Sequence, residues 1–185
     1  EMCIRDRLDL ADNRVMKTQP VQLDLSAVAK GYGVDRIAGL LRDQGYSDFM
    51  VEIGGELYMA GNSPRGTPWR IAIEEPSALP GQVHRAIIVT DRAVATSGDY
   101  RNYYEKDGER YSHTIDPATG RPVTHNLASV TVIADDAASA DGLATAINVM
   151  GAEVGMTLAQ QQGLAIYLIV KTDQGFDSRF SDAFA

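Results

Sequence analysis

The chain has 185 residues, 44% of them apolar and 23% charged, which suffices for one folded domain with its own hydrophobic core. Its net charge of −8 comes without a basic stripe and speaks against nonspecific nucleic-acid binding, which depends on neutralising phosphates. The single cysteine, Cys3, excludes an intrachain disulfide, and no apolar run approaches the ~20 residues of a membrane-spanning helix.

In chain order, residues 1–7 are charged and aperiodic and read as an artefactual or non-native start; residues 8–185 read as one domain. Leu8-Asp9-Leu10 and Val15-Met16 flank Asp12-Asn13, and Val21 to Leu25 alternates, so short strands joined by turns are predicted. After Ser26 the period becomes helical, with Val34, Ile37, Ala38, Leu40 and Leu41 on one face and Gly45 as the cap. A strand is predicted from Phe49 to Met59, interrupted by Gly54-Gly55, where a bulge or a closely approaching ligand would want glycine. Further strands are predicted at Trp69–Ile73, Ala86–Thr90 and Val94–Thr96, with Pro64, Pro68, Pro76 and Pro80 in the loops. Tyr100 to Tyr111 reads as a hairpin around Lys106-Asp107-Gly108, and Asp116 to Gly120 as a turn. Ser129–Ala134 is a strand, Ala137–Met150 a helix closed by Gly151, Ala152–Gln162 a second helix, and Leu164–Val170 a final buried strand. Strands that mostly follow strands, with helices clustered in two places, predict an α+β fold with a mixed or antiparallel sheet.

Three segments carry candidate chemistry. Asp24-Leu25-Ser26-Ala27-Val28-Ala29-Lys30-Gly31-Tyr32-Gly33 passes from strand to helix, and a helix N-terminus beside a lysine suits a phosphate. It is neither a Walker loop nor a dinucleotide fingerprint, and the same residues serve equally well as a helix cap and a solvated charge. In Ser139-Ala140-Asp141-Gly142-Leu143-Ala144-Thr145, Asp141 and Thr145 fall one turn apart on one helix face. They are hard oxygen donors of the kind Mg²⁺ takes, though an acidic residue early in a helix also complements the dipole. The third segment, Tyr111 to Gly120, holds His113 before a proline turn; an unperturbed imidazole, pKa near ~6.5, is either a base for a hydroxyl or a structural side chain. His84 and His125 have no suggestive partners, and Ser97-Gly98 lacks the flanking pattern of a serine-hydrolase elbow.

The order of these segments is what discriminates. Asp24 to Tyr32, Gly54-Gly55-Glu56, Ala95-Thr96-Ser97-Gly98-Asp99-Tyr100, Ser112-His113 with Asp116 to Gly120, and Ser139 to Thr145 together resemble the ApbE family of flavin transferases. The resemblance runs from about Leu8 to the last strand, and implies an ApbE-like domain lacking the family's N-terminal part, which helps surround the flavin. It implies Mg²⁺-dependent transfer of FMN from FAD to a Thr or Ser hydroxyl of a target protein, releasing AMP. By position, Asp24, Lys30 and the backbone of Ile115 would contact FAD. The carbonyl of Ala27, the carboxylate of Asp141 and the hydroxyl of Thr145 would hold Mg²⁺, and His113 would be the general base. Some relatives have a second acid three residues after the metal Asp; here Ala144 stands there. The partners implied are FAD and acceptor flavoprotein subunits. The location implied is the bacterial periplasm or the periplasmic face of the inner membrane. The competing functions are a Mg²⁺-dependent FAD diphosphatase at the same site and a flavin-binding module without turnover, for which a base has no use.

Overall fold

Alternation along four strands settles the architecture: neighbouring residues go to two different cores. A computed structural model describes residues 8–9, 14–15, 24–76, 81–98, 103–106, 109–112, 114–117 and 119–185. Among them, the main sheet has six strands: β3 (Phe49–Ile53), β4 (Glu56–Ala60), β7 (Arg92–Gly98), β12 (Leu127–Ala134), β13 (Ala165–Thr172) and β14 (Gly175–Phe180). Their order is β14-β13-β12-β7-β4-β3, antiparallel at every pairing. Tyr58, Ala60, Ala93, Ala95, Val130, Val132, Ile166 and Leu168 face one core, and Met59, Val94, Tyr167 and Ile169 the other.

The first core is roofed by α1 (Ser26–Asp43), α2 (Ala137–Met150) and α3 (Ala152–Gln162). On α2 the buried residues are Ala137, Ala140, Asp141, Ala144, Ile147 and Asn148, a stripe at helical spacing whose alanines let the helix lie close to the small β7 residues. The second core is closed by the hairpin of β5 (Trp69–Glu74) and β6 (Val83–Val89), through Ile73, Ile87 and Val89. Trp69 Nε1 donates to the Ala60 carbonyl at 2.9 Å, tying the hairpin to the sheet. Four short strands pair as small hairpins: β1 (Leu8–Asp9) with β2 (Arg14–Val15), and β8 (Tyr103–Lys106) with β9 (Glu109–Ser112). A further pair is β10 (Ile115–Asp116) with β11 (Arg121–Pro122). No helix among the described residues is long and apolar enough to cross a membrane.

The α+β expectation holds, and of the two sheet types expected the antiparallel one is found. The helix predicted after Ser26 ends as expected: the Tyr46 N–H bonds to Leu41 O and the Gly45 N–H to Arg42 O, a Schellman closure around Gly45 at φ +85. Its predicted apolar face is only partly inward, since Val34 and Ala38 are buried while Ile37 and Leu40 are exposed. The strand expected over Phe49–Met59 is two strands, β3 and β4, joined by a two-residue turn with positive φ at Gly54 (+59) and Gly55 (+98). Val94–Thr96 belongs to the longer β7, which pairs with both β12 and β4. The last buried strand is not the last strand, because β14 follows it along the sheet edge. The strand expected at Val21 to Leu25 begins outside the described residues, and Asp24 and Leu25 are not in a strand.

Candidate active site

The polar residues of α1 and α2 meet where the two helices cross. Gly31 makes the crossing close: a Cβ built there would stand 2.1 Å from the Ala137 carbonyl oxygen. The N-terminus of α2 is fastened by two carboxylates. Asp35 of α1 accepts from the N–H groups of Ala137 and Ala138 at 2.7 and 2.9 Å, and Asp136 accepts from Ser139 N at 2.7 Å. Those two serve the helix end, so Asp141, a turn further in and 2% exposed, has other work.

Asp141 Oδ2 accepts from the Gly31 N–H at 3.0 Å, and its Oδ1 lies 4.0 Å from the Lys30 ammonium. Four residues before Gly31 is Ala27, whose carbonyl is the acceptor a regular helix offers to that same N–H. The Ala27 carbonyl oxygen also lies 4.0 Å from where a Cβ on Gly142 would be, so it faces the segment that carries Asp141. One turn along α2, Thr145 Oγ1 is 3.3 Å from Ser97 Oγ of β7. The Ala27 carbonyl and the Asp141 carboxylate thus lie on facing segments of α1 and α2, with the Thr145 hydroxyl one turn further along α2, against Ser97. Among the described residues no three His, Cys, Asp or Glu side chains converge, so a cation here needs such a mixed oxygen set. These donors are hard oxygens and fit Mg²⁺ in kind. Ala144 is fully buried in the core, so α2 offers no second carboxylate there.

Lys30 Nζ donates to Glu56 Oε1 at 2.5 Å. Glu56 is 1% exposed, and burial pushes its carboxyl up; Lys30 opposes this through the hydrogen bond and its charge, and Asp141 adds a smaller upward push. Lys30, 44% exposed along its side chain, is thus a partly solvated charge with a buried partner. Asp24 is exposed and accepts from Ser26 N at 2.7 Å, which holds its carboxyl below the usual range. The bond closes a local turn just before α1, whose N-cap is Leu25 and has no side-chain cap, so neither Asp24 nor Ser26 is the cap residue that was expected. Ile115 is exposed in the small β10–β11 hairpin. The chain there is tied to α2 through Thr114 Oγ1, which accepts from Asn148 Nδ2 at 3.3 Å, less than one turn from Thr145. His113 lies outside the described residues. Of the other histidines, His125 bonds the Asn148 carbonyl through Nε2 at 2.7 Å, and His84 packs edge-on against Tyr167, both structural positions.

Sequence reasoning gave no role to Glu56, Ser97 or Asp35. For Glu56 a signal existed: it shares the two-residue period of Tyr58 and Ala60 and so falls on the face of β4 that meets the helix-covered core.

An antiparallel α+β sheet under crossed helices, with a lysine and two buried carboxylates at the crossing, is the class of domain that fold and site define. The family model described as ApbE family matches residues 3–168, and the chain belongs to the ApbE family. It is 49% identical over 180 residues to the FAD:protein FMN transferase of Vibrio cholerae, covering 97% of this chain and 54% of that relative. Among solved structures it is similar to the flavin transferase ApbE from Vibrio cholerae (47% identity, TM-score 0.87, 97% of this chain and 57% of that one). The apo flavinyl transferase ApbE of Pseudomonas stutzeri matches at 44% identity and TM-score 0.85, over 97% and 56% of the two chains. The chain thus spans about half the length of the curated relatives it matches.

Proposed function

We propose that this protein transfers FMN from FAD to a threonine or serine hydroxyl of an acceptor flavoprotein subunit, with Mg²⁺, releasing AMP. The observation that carries the reading is the crossing of α1 and α2, where Lys30 stands beside Asp141 in a chain whose relatives are named FAD:protein FMN transferase. The acceptor hydroxyl oxygen forms a bond to the FMN phosphorus. The bond from that phosphorus to the bridging oxygen breaks, and AMP leaves with the bridging oxygen and the electron pair. His113 takes the hydroxyl proton, and general-base help of that kind is worth about 10²–10⁴-fold.

Mg²⁺ held by the Ala27 carbonyl, Asp141 and Thr145 would supply charge neutralisation on the diphosphate. Lys30 adds a positive charge on the same group, held in place before the reaction begins. Asp24 and the Ile115 backbone orient FAD. The reaction takes place in the bacterial periplasm or at the periplasmic face of the inner membrane.

Incubation with FAD, Mg²⁺ and an acceptor subunit bearing a Thr flavinylation site tests the proposal. A flavin band that stays with the acceptor through denaturing electrophoresis is expected. Release of free FMN and AMP without such a band would make the protein a diphosphatase, and FAD binding with neither product would make it a carrier.

A further inference from the structure

Glu56 is a buried charge to which the reaction above assigns no task. It follows directly on the glycine pair of the β3–β4 turn and is 1% exposed. Its Oε1 accepts from Lys30 at 2.5 Å, while its Oε2 is buried and meets no hydrogen-bond donor among the described residues. On the same face of β4 lie Tyr58 and Ala60, both in the apolar core. Taking a carboxylate into such surroundings is unfavourable, and an apolar side chain of similar size would pack there more easily. A role confined to filling space therefore does not account for the residue.

Lys30 supplies the reason. Its four-carbon stem has many rotamers, and its side chain is 44% exposed, so an unanchored ammonium would sweep a wide arc. Two features stop it. Glu56 grips the head, and Gly54 lies along the stem, where a Cβ would stand 3.2 Å from Lys30 Cδ and 3.9 Å from Glu56 Oε2. The turn needs glycine at Gly54 for its φ of +59 and also for this contact. The outcome is an ammonium held 4.0 Å from Asp141 Oδ1.

We propose that Glu56 is a positioning residue: presented by the Gly54-Gly55 turn, its carboxylate fixes the Lys30 ammonium beside Asp141, where the diphosphate of FAD is gripped. The inference rests on Lys30 contacting FAD, as in the function proposed above. A charge already in place needs no reorganisation as the reaction proceeds, so the benefit falls on rate. Affinity responds less, because neutralising Glu56 frees the lysine and also removes a negative charge near an anionic ligand.

The test compares Glu56→Gln, Glu56→Asp, Lys30→Met and the Lys30→Met/Glu56→Gln double variant in the full-length gene product, following AMP release from FAD. Glu56→Gln keeps the size and an acceptor oxygen but not the charge; kcat should fall about tenfold or more while KM for FAD stays within about threefold. Glu56→Asp, with the charge drawn back by one methylene, should fall in between. In the Lys30→Met background, Glu56→Gln should change kcat by less than about twofold and raise the melting temperature, since an unpaired buried charge is removed. Wild-type kcat in Glu56→Gln, or the same proportional loss with and without Lys30, overturns the inference; if Glu56→Gln does not fold, Glu56→Asp carries the comparison. A readout independent of turnover is the ¹⁵N signal of the Lys30 ammonium, expected to be immobilised in the wild type and mobile in Glu56→Gln. Equal mobility in both overturns the positioning role. An immobilised ammonium in a wild type that releases no AMP refutes the proposed reaction and leaves the anchoring of Lys30 by Glu56 standing. If Lys30→Met changes neither kcat nor KM, its contact with FAD falls, and the positioning role with it.

Discussion

Gly31→Ala puts opposing effects of known size against each other at the helix crossing. An alanine in a helix interior is favoured over glycine by about 1 kcal/mol. Against this, the new Cβ would stand 2.1 Å from Ala137 O, 2.5 Å from Ala137 C and 2.8 Å from Ala138 Cα. All three are backbone atoms, so no rotamer change relieves the clash, and the helices have to part by roughly an ångström to reach ordinary contact distances. Overpacking of this kind costs about 1–3 kcal/mol. Parting the helices also draws Ala137 and Ala138 away from Asp35, whose bonds to them are 2.7 and 2.9 Å, a cap worth about 0.5–2 kcal/mol. The balance is a destabilisation of about 0.5–4 kcal/mol. Gly39 of the same helix is the internal control, since a Cβ there meets nothing within 4 Å. Gly39→Ala should therefore gain up to about 1 kcal/mol. Urea denaturation of the two variants and the wild type gives both numbers, provided the m-values agree. If Gly31→Ala is as stable as Gly39→Ala, the close crossing and the site geometry built on it are wrong.

Asp141→Ala should abolish most Mg²⁺ binding in calorimetry, because it removes the one anionic side chain of the proposed metal site, whereas Thr145→Ala should weaken it less, water replacing a neutral hydroxyl; equal affinity in wild type and Asp141→Ala rejects the assignment. His113→Asn should slow FMN transfer by about 10²–10⁴-fold with FAD affinity within a few-fold, and an unchanged rate would move the base elsewhere. Asp48 accepts from the Asn62 N–H at 2.6 Å and from the Ser47 hydroxyl at 2.8 Å, which hold its carboxyl below its ordinary value of 3.8. A depressed folded pKa contributes stability that is present above 3.8 and lost as pH falls through the lower folded value, so Asp48→Asn should cost stability near neutrality and progressively less in acid. A stability gap that is the same at neutral and strongly acidic pH would contradict that sign.

The parts of the fold that were legible are those with local punctuation. The bounds of α2 and α3 agree with the sequence reading because Asp136 caps one end and Gly151 and Gly163, both at positive φ, close the others. Where the determinant is tertiary, the reading fell short. Ile37 and Leu40 fit a helical apolar face but are exposed, while Val34 and Ala38 are buried in the core and Leu41 packs against it half-buried. The strand Gly-Phe-Asp-Ser-Arg-Phe of β14 has little hydrophobic periodicity because it lies at the sheet edge, mostly exposed, and is held by its ladder to β13. The neighbours of β7 are β4 and β12, and nothing local to Arg92–Gly98 tells which strands those will be.

The site divides along the same line, and its least legible member is the one with the strongest constraint. Asp141 could be read as a surface acid near a helix start as long as α2 was taken alone. Placed in the stripe Ala137, Ala140, Ala144 and Ile147, it lies on the buried face, where a carboxylate needs donors from outside its own helix. Those donors come from Gly31 and Lys30, about 110 residues earlier, and Lys30 depends in turn on Glu56 of a third element. The motifs around Lys30, Glu56 and Asp141 are thus three faces of one arrangement, each locally ambiguous. A cap, a hairpin turn and a helix start are the bland explanations of each in isolation. Their convergence on one ammonium at 2.5 and 4.0 Å is what none of them accounts for.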